Sequence, residues 1–295
     1  MGVVEEGEMR VDGVRTFYRR VPGAGTPTVY VHGNPTHSGD WRPFMERGAP
    51  AIAIDLPGWG RSERPAGFDY TMHGLSAFLE RALAELAVQR RKLVVHDWGG
   101  LALIGAQRQP DLVEKLVVMD AVPLLPGYRW HWIAQLWRRR PLGEVLNRTP
   151  TRSGLALLLR QARGDRGKMP DEFVEMIWDH WDAGTQAAVL ALYRDADPDK
   201  LAVAGRDLGR LECPALVLWG DRDPYLPLEF GAAYAHALPR ARFEVARGCG
   251  HWPWIDDPGV VDRVLDFLAE GGGTEPPPAP GGGGRSAARR PQSAE

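Results

Sequence analysis

Thr28–Val31, Ala51–Asp55, Leu93–His96, Leu116–Met119 and Ala215–Trp219 are short, mostly apolar runs, separated along much of the chain by helix-length stretches. A half-exposed strand would alternate apolar and polar residues. These do not, and they suit strands buried on both faces, as in a parallel sheet. Arg10–Val11 and Val14–Tyr18 add β-type runs at the start. Met72–Leu86 places apolar residues at helical spacing, and Leu101–Arg108 stops at Gln109–Pro110. Strand and helix therefore alternate, which predicts an α/β fold. Between about Leu125 and Val203 the strands vanish, and Trp-rich helical segments such as Trp130–Trp137 and Asp171–Trp181 replace them. The alternation resumes with Ala215–Trp219, Leu228–Leu238, Phe243–Val245 and Val260–Leu268. The expected organisation is a core over residues 1–124 and 206–270, interrupted by a helical insertion over 125–205. Residues 271–295 hold seven Gly and five Pro with little that can pack, so they are expected to be a disordered tail.

Composition removes several classes of function. At 295 residues, with 44% hydrophobic and 25% charged residues, the chain can bury a sizeable core without staples. Its 36 basic residues against 38 acidic ones leave a net charge of −2, so no positive field points to nucleic acid or an anionic membrane. No apolar run reaches membrane-spanning length. The opening MGVVEEGEMR is acidic where a secretory leader is basic and then apolar. Cys213 and Cys249 fit neither a disulfide framework nor a zinc site. A cytoplasmic protein with free thiols is the expectation.

The loops after the strands carry the chemistry. They read His32–Gly33–Asn34–Pro35–Thr36, His96–Asp97–Trp98–Gly99–Gly100, Gly220–Asp221–Arg222–Asp223–Pro224 and Gly248–Cys249–Gly250–His251–Trp252–Pro253. Open α/β sheets bind ligands beyond the carboxyl ends of their strands, where all four loops fall. In the second loop a strand runs into Asp97, and two glycines open the following helix, the pattern of a nucleophile elbow. The chain has no G-x-S-x-G, so the apex is an aspartate. A carboxylate can attack an electrophilic sp³ carbon and form an ester, which a histidine-activated water then hydrolyses. The competing reading of Asp97 is a helix N-cap. Asp223 and His251 follow in the order nucleophile, acid, histidine, which favours catalysis. Asp223 would hold the second ring nitrogen of His251. The bland reading of the Asp221/Asp223 pair is an Asx turn before Pro224, a role assigned to Asp221.

His96–Gly100 (HDWGG), His32–Thr36 (HGNPT) and Asp55–Ser62 (DLPGWGRS) resemble the haloalkane dehalogenase and epoxide hydrolase branch of the α/β-hydrolase superfamily, over about residues 8–270. That resemblance implies an α/β-hydrolase fold, a mostly parallel sheet flanked by helices, with the insertion as a cap. It implies Asp97 as nucleophile, Asp223 as acid and His251 as base. The backbone N–H groups of Asn34 and Trp98 would form the oxyanion hole, and the bond before Pro35 would be cis. Asp120 stands where some dehalogenases carry their acid, so it competes with Asp223.

The branches differ in the leaving group. A departing halide is held in relatives by the indole N–H beside the nucleophile and an Asn amide, positions matched by Trp98 and Asn34. Two neutral N–H donors in an apolar pocket would stabilise the developing charge. An epoxide hydrolase uses two cap tyrosines. Tyr193 resembles one, whereas Trp137 stands near the other and Tyr128 lies close to the hinge. Haloalkane dehalogenation is therefore the leading expectation and epoxide opening the alternative, followed by a cap-gated small-molecule receptor and cofactor-free oxygenation. Neither metal nor organic cofactor is implied. The expected partners are a small hydrophobic substrate and water, with no nucleic acid and no membrane. Trp130, Trp132, Trp137, Trp178 and Trp181 are expected mostly to pack helices, and Arg138–Arg140 to form a solvated face.

Overall fold

The structure, a computed structural model, describes residues 2–148 and 151–270. The tail expected over 271–295 lies outside the described residues. Strands β1 (Glu5–Val11), β2 (Val14–Val21), β3 (Thr28–Val31), β4 (Ala51–Ile54), β5 (Arg91–Asp97), β6 (Val113–Ala121), β7 (Ala215–Gly220) and β8 (Ala241–Ala246) form one sheet in the order β1-β2-β4-β3-β5-β6-β7-β8. Every pairing from β4 to β8 is parallel, while β1 and β2 run antiparallel at the edge.

The apolar runs become buried strands because the side chains of a strand alternate between two covered faces. Val29, Val31, Leu93, Val95, Leu116, Val118 and Val217 enter one core. Tyr30, Val94, Val117, Met119, Leu216 and Leu218 enter the other. Helices α2 (Met72–Glu85), α3 (Ala102–Ala106) and α10 (Leu228–Ala237) cover the first face; α1 (Arg42–Met45), α11 (Pro253–Asp256) and α12 (Gly259–Ala269) cover the second. Thr71 caps α2 by accepting the Gly74 N–H at 3.0 Å. The stretch after Asp97 is shorter as an α-helix than the sequence predicts. Trp98–Leu101 forms a 3₁₀ turn, and only Ala102–Ala106 is α-helical.

Between β6 and β7 the chain leaves the sheet and forms α4 (Trp132–Arg138), α5 (Leu142–Arg148), α6 (Arg152–Leu159), α7 (Asp171–Trp178), α8 (Ala183–Asp195) and α9 (Pro198–Ala204). This insertion straddles the carboxyl end of the sheet. Val189, Leu192 and Leu201 join the first core, and Leu155, Leu159, Val174 and Ile177 join the second. Arg138 departs from the expected solvated face. Its guanidinium donates to the Ala196 carbonyl at 2.8 Å and also to the Tyr193 carbonyl, tying α4 to the end of α8. The residue at that position faces orphan helix-end carbonyls, which a cation satisfies. Arg139 and Arg140 are exposed, as the sequence suggests.

Candidate active site

Strand β5 delivers Asp97 at the sheet's carboxyl edge with φ +48°, a left-handed conformation that costs energy for a residue with a Cβ. The turn closes only because its neighbours are glycines. A Cβ on Gly99 would lie 2.1 Å from the Val31 carbonyl oxygen, and one on Gly33 2.4 Å from Asp97. The Asp97 side chain makes no cap hydrogen bond to the helix, so the N-cap reading does not describe it. Its Oδ2 instead accepts the Asn34 backbone N–H at 2.7 Å, and the nearby Trp98 backbone N–H also favours its charged form. Burial raises the Asp97 carboxyl above the usual carboxylate range, more than His251 and the two backbone donors lower it.

The loop after β8 places His251 beside Asp97, with Nε2 3.8 Å from Asp97 Oδ1. On its other side, Nδ1 lies 2.8 Å from Asp223 Oδ2. The loop is pinned from two directions. The His251 N–H donates to Ala162 of the insertion at 2.8 Å, and its carbonyl accepts from His96 Nε2 at 2.7 Å. Burial lowers the basicity of His251, but the Asp223 and Asp97 carboxylates outweigh it and raise the ring above the usual histidine range. Asp223 also settles the Asx question. Its Oδ1 accepts the N–H groups of Tyr225 at 2.8 Å and Leu226 at 3.1 Å, so it makes the turn and meets the histidine at once. Asp221, expected to make that turn, instead accepts the Gly248 N–H at 2.6 Å and ties down the His251 loop. Asp120 is fully buried but makes no ion pair with His251.

The Asp55–Ser62 segment is scaffolding for this site. Asp55 accepts the N–H groups of Ser38 and Arg61 at 2.7 and 2.8 Å, fixing the loop after β3. Trp59 Nε1 donates to Asn34 Oδ1 at 3.3 Å, which leaves the Asn34 amide nitrogen free to face inward. The Asn34–Pro35 peptide is cis.

Asn34, Asp97 and His251 open on a cavity of about 230 Å³ lined mainly by the insertion, including Trp130, Trp132, Leu136, Trp137, Leu155 and Trp181; Asp223 and Trp98 stand behind that lining. Four of the insertion's five tryptophans thus face the cavity, and the expected packing role also describes most of them: Trp130, Trp137 and Trp181 pack in the first core and Trp178 against the second. Tyr193 stands at the centre of an aromatic box, 5.1 Å from Trp98, 5.0 Å from Trp130 and 5.0 Å from Trp137 between ring centroids. The buried Trp98 Nε1 forms no well-aligned hydrogen bond, yet both it and the Asn34 side chain lie close enough to the Tyr193 oxygen to stabilise negative charge there. Burial still dominates and holds that phenol firmly protonated.

Three further residues escaped the sequence reading. Tyr225 lines the cavity beside His251, at 5.1 Å between rings, so the second phenol comes from the core and not the insertion. Tyr128 is absent from the cavity lining; its hydroxyl reaches the Tyr225 carbonyl at 3.5 Å. His131 lines the cavity as the N-cap of α4, and burial pushes it down to about 4, so it is neutral. Asp40 is buried near Thr36 and Trp252, and burial pushes it up to about 7. Only the neighbouring Asp223 marks Tyr225 in the sequence; nothing local marks His131 or Asp40. No Lys or Arg is among the described residues lining the cavity. Among the described residues no cluster of His, Cys, Asp and Glu is placed to hold a metal ion, and no helix is long and apolar enough to cross a membrane.

A strand-end nucleophile position, a late histidine and a carboxylate on one parallel sheet define a hydrolase of the α/β type. The chain belongs to the α/β-hydrolase family, whose model, described as the alpha/beta hydrolase fold, matches residues 26–258. It is 30% identical over 265 residues to a 2-hydroxymuconate semialdehyde hydrolase of Pseudomonas putida, covering 84% of this chain and 89% of the relative. A 2-hydroxy-6-oxo-2,4-heptadienoate hydrolase of Pseudomonas putida is likewise 30% identical, over 84% of this chain and 90% of the relative. Among solved structures, the haloalkane dehalogenase DbeA from Bradyrhizobium elkani superposes with a TM-score of 0.78 at 24% identity, covering 90% of this chain and 98% of that one. The epoxide hydrolase CorEH superposes with a TM-score of 0.77 at 20% identity, covering 90% and 99%. Both share the fold.

Proposed function

We propose that this protein is an aspartate-nucleophile hydrolase that works through a covalent alkyl ester on Asp97, with a halide as the leaving group. The observation that carries the reading is Asp97 itself, held at the elbow by backbone N–H groups and flanked by His251. Asp97 Oδ1 is the oxygen left free of the Asn34 N–H, and it attacks the substrate carbon as the carbon–halogen bond breaks. The halide leaves with the bonding pair. On this reading the charge is met by the Asn34 amide and the Tyr193 hydroxyl, with Trp98 Nε1 close beside the Tyr193 oxygen. Water then adds to the ester carbonyl, and His251 Nε2 takes its proton while Asp223 holds Nδ1. The Asn34 and Trp98 backbone donors support the oxyanion on Oδ2. Collapse releases the alcohol, which takes one proton, and regenerates Asp97; the second proton leaves through His251 to solvent. On this reading residues 125–205 act as the cap that walls off an apolar site for a small substrate.

Hydrolases similar in sequence are named for semialdehyde, heptadienoate and dienedioate substrates. Two features argue against that chemistry here. A carboxylate attacking a carbonyl would give a mixed anhydride, not a stable ester. A carboxylate-bearing substrate would also enter a cavity whose described lining has no cation to pair with it. Epoxide opening is the second reading, favoured by the presence of Tyr193 and Tyr225 in one cavity. The test is a paired assay of haloalkanes for released halide and of terminal epoxides for diol. Halide release with little diol supports the first reading; diol alone replaces it with the second; neither product, with saturable binding, points to a receptor.

A further inference from the structure

Asp120 occupies an unusual backbone position. The ladder between β5 and β6 pairs His96 with Met119 and then Asp97 with Ala121, so Asp120 is an extra residue bulged out of β6. Its φ is +35°, a second left-handed residue beside the one at Asp97. Bulges and strain of this kind re-aim a side chain, and here they aim it into the site. The carboxyl is wholly buried. Its Oδ1 accepts the Gly220 N–H at 3.0 Å. Its Oδ2 has no donor, yet the carboxyl lies within hydrogen-bonding reach of Asp223. Asp223 is itself enclosed, with both oxygens already accepting hydrogen bonds, from His251 on one and from Tyr225 and Leu226 on the other. Two buried carboxyl groups in contact cannot both be ionised without a cation between them. Among the described residues no Lys, Arg or His forms an ion pair with Asp120. The groups that face it are Asp223, the Gly220 N–H, and the Cys249 thiol, which burial pushes up to about 11.

We propose that Asp120 keeps its proton and donates it to Asp223, so that the arm orienting His251 is a pair of carboxyl groups sharing one negative charge. Asp120 is then a positioning residue. It adds a side-chain donor to the backbone donors and the histidine that already surround Asp223, and so helps hold Asp223 in the one rotamer that serves both the Asx turn and Nδ1. Burial and the Asp223 charge both push Asp120 well above the carboxylate range, in agreement with this geometry. The arrangement also removes the competition between the two carboxylates: one is the charged acceptor and the other the neutral donor. The proposal rests on the reading of Asp223 and His251 as one relay, but its test does not use turnover.

The experiment compares wild-type protein with Asp120→Asn, which is neutral at every pH and can still donate an N–H. The infrared spectrum of the wild type at neutral pH should show a carbonyl stretch of a protonated carboxyl that is lost in Asp120→Asn and retained in Asp40→Asn. The His251 pKa, followed by nitrogen-15 histidine NMR, should change by less than about 0.3 unit in Asp120→Asn, because no charge has been removed. A fall of roughly one unit or more would mean that an ionised Asp120 had been deleted, and would overturn the proposal. Absence of an Asp120-dependent carboxyl band would overturn it as well. Should Asp120→Asn fail to fold, carbon-13 aspartate NMR of the wild type decides. One aspartate still protonated above the Asp40 transition supports the proposal, and none overturns it.

Discussion

The strand-end loops of the core and the helical insertion build opposite walls of one cavity by different means. The loops place Asp97, Asp223 and His251 with backbone donors at 2.7 to 3.1 Å and with two residues in left-handed conformations. Little in that wall can move without breaking a buried hydrogen bond. The insertion contributes indole and aliphatic surface, with Tyr193 and His131 as its inward polar groups beside Asn147. Its apolar residues join both cores, and beside them run polar, partly exposed contacts. Arg64 pairs with Asp182 at 2.9 Å and meets Thr185 at 3.1 Å, while His37 Nε2 reaches the Met176 carbonyl at 3.2 Å. The difference teaches a division of labour. On the proposed mechanism, reaction type is written into the rigid wall and the choice of substrate into the wall that is easier to replace.

The sharpest way to break that division is to remove the proposed nucleophile. Asp97→Ala should lower turnover by at least about 10⁴-fold, as loss of a catalytic unit's central member does. His251→Phe should stop at the ester, seen by intact mass as one alkyl adduct mapped to Asp97. Full turnover in Asp97→Ala would move the chemistry out of the core wall altogether. Next in size, Asp223→Ala should cost about 10³- to 10⁴-fold in ester hydrolysis, measured in single turnover, because His251 loses the group that fixes its tautomer. Asp120→Asn should leave that step nearly unchanged; a reversal of the two results would exchange their roles.

Smaller effects separate the leaving groups. On haloalkanes, Asn34→Ala should slow halide release by roughly 10- to 150-fold, the worth of one hydrogen bond to a charged group. On epoxides, Tyr193→Phe should cost the larger factor and Asn34→Ala little. A pH profile sharpens the same comparison from the core side. His251 must be neutral to accept a proton from water, so hydrolysis should rise as pH climbs through its pKa. The Asp97 charge is one cause of that raised pKa, and esterification removes it. The acid limb of ester hydrolysis should therefore lie at lower pH than the titration of His251 in the free protein, as NMR can measure. The smallest effect belongs to the attachment of the insertion. Arg64→Ala, at a partly exposed pair, should reduce stability by about 1 kcal/mol or less in a denaturant melt. A larger loss would show that the insertion is part of the rigid wall.

Much of the first wall was legible in the amino-acid order. Apolar runs such as Thr28–Val31 and Ala215–Trp219 correspond to β3 and β7 almost residue for residue, because a strand buried on both faces must be apolar throughout. Asp97 between such a run and two glycines announces a tight strand-to-helix turn, which is a local property. Asp223 and His251 were legible because each follows a strand, and parallel strands bring their carboxyl ends together whatever lies between them. The bulge at Asp120 was not legible. It arises where β5 and β6 fall out of register, and no residue type encodes that mismatch.

The second wall shows the limit more plainly. Which tryptophans of the insertion meet the cavity depends on how α4, α6 and α8 lie across the sheet, and helical spacing alone gives only which residues share a face. Tyr225 supplies the second phenol of the cavity, because Asp223 bonds its N–H and turns the chain inward. The amino-acid sequence by itself determined the sheet, the elbow and the identity of the charged groups at its edge, since these follow from local pattern and strand polarity. Only the tertiary structure decided which carboxylate meets the histidine, which aromatic rings surround Tyr193 and where the Asp120 carboxyl points, since each of these is a contact between segments far apart in the chain.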